Sequence, residues 1–292
     1  MFAPFSFGGA PLDWDGIPVL GAVKDQAGND VLRATCQYTQ SDLLITLCDP
    51  FALLPSRSDL ATMAVAHWFP VDTSPMGEAD VTVLREGGGI PVAMSRFGER
   101  VIRGEGGDPL YVPHGVDTRL FCPGDGTAYR ESAEIGPETF VAGVLGMNRD
   151  PVRKGFFEQM LAFAKFHARH PDSVLTMHTA NVASPGLNLA GMAARLGVTD
   201  AVRFPDTYSY QMALITREQQ VSGSPFWSQG HGAMWTRPDV TDIEAAYEAA
   251  WQARENGTMP NAAAREFALT YDADLVAAQY WKPVLAELEQ RI

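Results

Sequence analysis

The chain has 292 residues, 46% of them hydrophobic and 20% charged, which is the length of two domains with enough apolar content to bury their cores. Its formal net charge of −13 excludes a nucleic-acid footprint and speaks against attachment to anionic lipid, since both need a basic surface. Three cysteines, Cys36, Cys48 and Cys122, lack CxxC spacing, which excludes a disulfide framework or zinc ribbon and fits a reducing compartment. No run reaches the roughly 18 apolar residues of a membrane span. The first residues show no basic n-region, so the expected location is cytoplasmic.

Short apolar runs alternate with helical patterns, the rhythm of an α/β fold. Strands are expected at 17–20, 43–48, 64–69 and 90–94, with a helix at 30–40. Residues 104–130, rich in Gly, Pro and Asp, read as a linker. The rhythm then restarts with a strand at 139–145 and an amphipathic helix at 155–169. A strand at 173–177, a helix at 187–196 and a strand at 201–204 follow. Right-handed crossovers make such a unit a parallel sheet. Residues 212–215 are strand-like and 221–235 loop-like. The capping-box spacing Thr241-x-x-Glu244 opens a helix through Arg254, and two more helices are expected at 262–269 and 273–290. Neither half shows the six strands of a full doubly wound domain.

In an open parallel sheet, ligands sit beyond the carboxyl ends of the strands. In the first half those tips carry Asp49 and the pair Asp72-Thr73. Asp72 either binds an acceptor hydroxyl or caps the following turn. His67, earlier on the same strand, reads as a core histidine. In the second half, Gly146-Met147-Asn148-Arg149 leaves a strand, and Arg153-Lys154-Gly155 opens a helix. A helix N-terminus offers free N–H groups to a phosphate. Arg149 adds a fork and Lys154 a compact charge. The alternative is a solvated turn with its cations in water. No His, Asp, Glu or Cys group shows metal-ligand spacing.

The segment FVAGVLGMNRDPVRKGFFEQMLAFAKFHARHPDSVLTMHT resembles the start of the donor domain of family 4 glycosyltransferases. PLYVPHGVDTRLFCPGD resembles the interdomain segment of that family, PVAMSRFGERVI the strand and helix before it, and REFALTYDADLVAAQYWKPVLAEL its closing helices. The resemblance implies a GT-B fold: two Rossmann-like domains, here both incomplete, with C-terminal helices crossing back to the first. The implied division is 1–118, an acceptor-side domain, 119–264, a donor domain, and 265–292, the returning helix. It also implies a retaining, metal-independent hexosyltransferase-type enzyme with no cofactor. A nucleotide-sugar serves as co-substrate, and the acceptor, whether small molecule, glycan or protein, is not specified. Asn148, Arg149, Lys154 and Gly155 are then donor-binding, Asp72 is the catalytic candidate, and Asp49, Thr73, His114, Gly115 and His178 border the cleft. Gly115 is read as a residue needed for positive φ.

The resemblance departs from the family in two places. An E-G-F-G-x-x-x-x-E segment with two donor-facing carboxylates has no counterpart between SYQMALITREQQ and VSGSPFWSQGHGAMWTRPDVTDIEAAYEAA. FSFGGAPLDWDGIPVLG resembles a point past the family's first strand and glycine loop. Three explanations stand side by side: a truncated gene, a reduced but active site, or a non-catalytic GT-B remnant acting as a binding or scaffold protein. A dinucleotide-dependent dehydrogenase is not supported, because no G-x-G-x-x-G follows a strand.

Overall fold

The computed structural model describes residues 11–20, 24–25, 27–149, 152–181, 186–205, 223–228, 233–259 and 262–291. The chain divides into two compact units. Unit 1 is Met1–Val116 with Trp227–Trp235 and Tyr271–Ile292; unit 2 is Asp117–Phe226 with Thr236–Thr270.

Unit 1 begins with a hairpin, β1 (Leu12–Trp14) paired antiparallel with β2 (Ile17–Val19). Its turn residues Asp15 and Gly16 both have positive φ, 51° and 80°, as a tight hairpin demands. The run at 17–20 is thus not a strand of the parallel sheet, because Asp15-Gly16 folds it back on its own neighbours. Helix α1 (Leu32–Thr39) precedes four parallel strands: β3 (Leu44–Leu47), β4 (Val65–Phe69), β5 (Ile90–Ala93) and β6 (Leu110–Tyr111). Strand β6 lies inside the stretch expected to be a linker. A 3-10 helix, Pro50–Ser56, runs into α2 (Arg57–Leu60) between β3 and β4; α3 (Glu78–Glu86) and α4 (Arg96–Gly104) make the next two crossovers. Ser95 caps α4, its hydroxyl oxygen accepting from Gly98 N at 2.9 Å.

The sheet order β3-β4-β5-β6 follows the chain. Each new strand joins the same edge, so the reversal of order that makes a full doubly wound sheet does not occur among the described strands. One face, with Val65 and Phe69, packs under α2, α3 and α4.

Unit 2 contains α5 (Thr127–Ser132), β7 (Phe140–Leu145), α6 (Phe156–Arg169), β8 (Ser173–His178), α7 (Leu189–Arg195) and β9 (Val202–Arg203). The strands are parallel in the order β7-β8-β9, again following the chain. Helix α6 buries Phe156, Met160, Phe163 and Phe166 on one stripe against this sheet. Each such side chain contributes roughly 1.5–3 kcal/mol of transfer free energy.

Strands β10 (Gly223–Ser228) and β11 (Ala233–Pro238) form a separate two-stranded sheet where the sequence suggested a loop. Phe226, Trp227, Trp235 and Thr236 favour strands and outweigh the Gly and Ser content. The strand expected at 212–215 lies outside the described residues. Helix α8 (Val240–Glu255) is capped by Asp239, whose side chain accepts from Thr241 N at 2.7 Å. Thr241 is therefore inside the helix and the capping-box reading is shifted. Helix α9 (Ala262–Leu269) follows.

The tail returns to unit 1 as α10 (Ala273–Val276), a π-helical turn (Ala277–Trp281) and α11 (Lys282–Arg291). Val276, Val284 and Leu288 cover the second face of the first sheet, over Ala66, Val92, Leu110 and Val112. The wide turn carries Tyr280 against Tyr111, rings 5.5 Å apart, and Trp281 against Trp68, 4.9 Å apart. One unbroken α-helix would present these two rings at a different angle, because a π turn shifts the side-chain phase. The architecture is thus α/β with two incomplete Rossmann-like units and C-terminal helices packed on the first.

Candidate functional site

In unit 1 the tips of β3 and β4 bring carboxylates together. Asp49 opens the 3-10 helix, its carbonyl accepting from Ala52 N at 3.0 Å. Asp72 is exposed after β4, whereas Thr73 beside it is buried. A third carboxylate, Asp80 in the first turn of α3, accepts from Phe51 N at 2.8 Å. Burial pushes the Asp80 carboxyl above its usual range; the Phe51 bond opposes this, and the charges of Asp49 and Asp72 push the same way as burial. The neighbouring Cys48 thiol is pushed up to about 11 by burial and then by Asp49 and Asp80, so it is an inert thiol. Asp80 was missed in the sequence. Its signal is an acid in the first turn of the helix that follows a strand tip.

His67 sits in the middle of β4, fully buried. Its Nδ1 lies 2.9 Å from the Thr46 hydroxyl and its Nε2 3.2 Å from the Gly88 carbonyl. Burial lowers it to about 4, with the Gly88 bond opposing. It is a neutral core histidine, as its place on the strand suggested.

Beyond β6, His114 is exposed, its ring tilted at 48° against Trp68 with centroids 4.7 Å apart and its Nε2 3.0 Å from the Met94 sulfur. Gly115 is required for closeness and not for positive φ, contrary to the expectation. A Cβ there would lie 2.8 Å from the Ala273 Cα. The next residue explains the approach: Val116 N donates to Tyr271 O at 2.8 Å and its carbonyl accepts from Ala273 N at 2.9 Å. The segment after β6 is clipped to the start of the returning helices.

In unit 2 the loop after β7 is built around Asn148, which is buried. Its amide Nδ2 donates to Ala180 O at 2.9 Å and Leu187 O at 2.7 Å, and its Oδ1 accepts from Leu187 N at 2.8 Å. Its backbone N donates to the Thr179 hydroxyl at 3.0 Å. Both amide hydrogens are spent on backbone carbonyls. Asn148 is thus a pin tying this loop to the one after β8. His178 ends β8 beside it, its carbonyl 3.5 Å from Gly146 N.

Arg149 and Lys154 are both exposed. The stem of Lys154 folds back over the loop, its Cγ 3.6 Å from where a Cβ on Gly146 would stand. The two ends of the segment are therefore together. Gly155 has φ +57° and precedes α6 without any side-chain cap. That left-handed geometry is the reason for glycine here.

A carboxylate enters this turn from the helix itself. Glu158, in the first turn of α6, is 7% exposed and is the buried acid among the described residues. Its Oε1 lies 3.3 Å from Arg237 Nε, and its Oε2 3.7 Å from the Cβ position of Gly155. Pro238, following Arg237, reaches within 3.5 Å of that same position. Sequence reading missed Glu158 and Arg237. The available signal was a charge on the stripe Glu158, Ala162, Phe166, spaced by four on the apolar face. Among the described residues, no group of His, Cys, Asp and Glu could hold a metal ion, and no helix is long and apolar enough to cross a membrane.

No family model matches the chain, and no curated protein matches it. Solved structures do. "Trehalose-6-phosphate from E. coli bound with UDP-2-fluoro glucose" is similar with a TM-score of 0.51 at 12% identity, over 73% of this chain and 66% of that one. The UDP-forming alpha,alpha-trehalose-phosphate synthase of Burkholderia vietnamiensis is similar at 12% identity and TM-score 0.46, over 64% of this chain and 52% of that one. S. aureus MnaA, solved with UDP, is similar at 12% identity and TM-score 0.41, over 60% and 49%. The chain spans between about half and two thirds of the length of these structures. The first likeness is one of fold, and it agrees with the α/β architecture of parallel sheets.

Proposed function

We propose that the chain is a cytoplasmic, family 4-like glycosyltransferase of the GT-B type. It holds a nucleotide-sugar by its diphosphate at the segment from Gly146 to Gly155. The observation that carries this reading is the folded-back turn that brings Lys154 onto Gly146 at the carboxyl end of β7, with Arg149 on the same loop. Two cations there can stabilise the charge that builds on a leaving diphosphate. Transfer is then retaining and needs no metal, with Asp72 on the acceptor side. UDP-2-fluoro glucose bound in the E. coli structure supports a nucleotide-sugar as the donor class. The test is calorimetry with UDP, ADP and GDP. The double variant Arg149→Ala, Lys154→Ala is expected to weaken the preferred nucleotide by at least tenfold, since each contact is a charge-assisted hydrogen bond worth about 1.5–3 kcal/mol. Unchanged affinity would reject the assignment.

A second reading is favoured by one observation. The buried acid near this loop, Glu158, is engaged by Arg237, and the family's paired donor-facing carboxylates have no counterpart in the sequence. On that reading the chain binds a nucleotide-sugar without transferring it. Release of the nucleoside diphosphate from a nucleotide-sugar by the purified protein, with or without acceptor, decides between the two.

A further inference from the structure

The first sheet has an opening at the end opposite to the tips that carry Asp49 and Asp72. Between α3 and α4, at the amino ends of β5 and β6, lies a cavity of about 420 Å³. Protein interiors leave few voids larger than a water molecule, and small-molecule cavities begin at about 300 Å³. Its apolar wall is Val81 and Leu84 of α3, Ile102 of α4, and Met76 and Pro91. Glycine explains why the space stays unfilled. Gly89 and Gly106, both lining it, have φ of +91° and +85°, and a Cβ on Gly107 would lie 2.7 Å from Ile102 Cγ2. The turns on either side therefore send no side chain into the cavity.

The charges at its mouth are of two kinds. Asp108 lies 3.1 Å from Arg291 and 3.9 Å from Arg103, and Arg291 also pairs with Glu287, so these are matched. Arg85, in the last turn of α3, and Glu105, which follows α4, make no side-chain hydrogen bond or ion pair among the described residues. Glu105 is half-buried, and a carboxylate withdrawn from water gains from a cation set against it. One unmatched charge of each sign thus faces an apolar wall.

We infer that this cavity binds an α-amino acid with a branched or aromatic side chain. The ammonium group sits on Glu105, the carboxylate on Arg85, and the side chain against Val81, Leu84 and Ile102. A purely apolar guest leaves both charges unmatched, and a dianion meets Glu105 and Asp108. The inference is independent of the nucleotide-sugar reading: every residue in it belongs to unit 1, and none lies in the loop after β7.

Calorimetry on the full chain tests it with leucine, phenylalanine, serine, N-acetyl-leucine and leucinamide. Leucine or phenylalanine is expected to bind saturably at millimolar concentration. Loss of either charge, in N-acetyl-leucine or in leucinamide, weakens binding by about tenfold, as does loss of the apolar side chain in serine. Glu105→Gln weakens leucine by about tenfold and leaves N-acetyl-leucine within twofold of wild type; Arg85→Gln does the same with leucinamide as the unmoved ligand. Leu84→Trp fills the cavity and abolishes binding of all five. Should Leu84→Trp fail to fold, the two charge variants still decide, because neither changes the apolar wall. No saturable binding of leucine or phenylalanine overturns the inference. So does N-acetyl-leucine or leucinamide binding as tightly as leucine, or a loss in Glu105→Gln and Arg85→Gln that is equal for every ligand.

Discussion

The loops at the carboxyl ends of the two sheets have opposite character. In unit 1 the tips of β3 and β4 and the start of α3 gather Asp49, Asp72 and Asp80, whose charges act on one another. In unit 2 the loop after β7 and its neighbours present Arg149, Lys154 and Arg237, with one acid, Glu158, drawn inward. The support differs too. The segment after β6 is held by backbone against backbone, Val116 with Tyr271 and Ala273. The loop after β7 hangs on one buried amide, Asn148. A net charge of −13 therefore does not decide how any one loop meets an anion, because the field there is set by local charges.

The largest predicted contrast is acid sensitivity. His67, in unit 1, is the buried histidine among the described residues. Burial holds it near 4 in the folded chain, against 6.5 for an open histidine. The unfolded chain binds the extra proton between these two values, so the stability His67 contributes is full above pH 6.5 and is lost as pH falls toward 4. The whole interval corresponds to about 3 kcal/mol. Urea unfolding followed by tryptophan fluorescence at pH 7, 6, 5 and 4 should show this fall in the wild type. His67→Gln, whatever it costs at pH 7, should flatten it. An unchanged slope in the variant would place the sensitivity in another group.

Next in size is the pin of unit 2. Asn148→Ala leaves the Ala180 and Leu187 carbonyls and the Leu187 N–H without their partner, a loss of about 2–3 kcal/mol. Asn148→Asp should cost more, since it turns two donated hydrogen bonds into oxygen facing oxygen. Thermal midpoints order the two. Nucleotide affinity should fall with either, because the loop that carries Arg149 is no longer tied to the one after β8.

Much of this was legible in the sequence. Strands β3, β4, β5, β7 and β8 are mostly apolar runs closed by polar tips, the pattern expected of parallel strands. The cations of the loop after β7 and the glycine before α6 stand out in an acidic chain. What the sequence hid was partnership at long range. Nothing near Asn148 says that its amide is consumed by Ala180 and Leu187, more than thirty residues on. Glu158 showed only as a misplaced charge, and Arg237 as one cation among many. The π turn at Ala277–Trp281 has no local marker, since it follows from fitting Tyr280 and Trp281 to Tyr111 and Trp68.

The smallest effects separate the two modes of support through their glycines. At Gly115 the obstacle to a side chain is backbone: a Cβ would stand 2.8 Å from the Ala273 Cα and 3.2 Å from its Cβ. Neither wall can rotate away, so Gly115→Ala must push the start of α10 off the segment after β6, at about 2 kcal/mol. At Gly155 the space is ordinary, with Pro238 Cγ at 3.5 Å, and the obstacle is the φ of +57°. A left-handed alanine costs about 1 kcal/mol and displaces little. Gly115→Ala should therefore lower the midpoint of unfolding about twice as much as Gly155→Ala. The order in nucleotide affinity should be the reverse. Gly155→Ala disturbs the turn that presents Lys154 and abuts Pro238, while Gly115→Ala acts on a segment that carries none of the cations. If both variants lose affinity in proportion to stability alone, the turn at Gly155 has no special part in holding the anion.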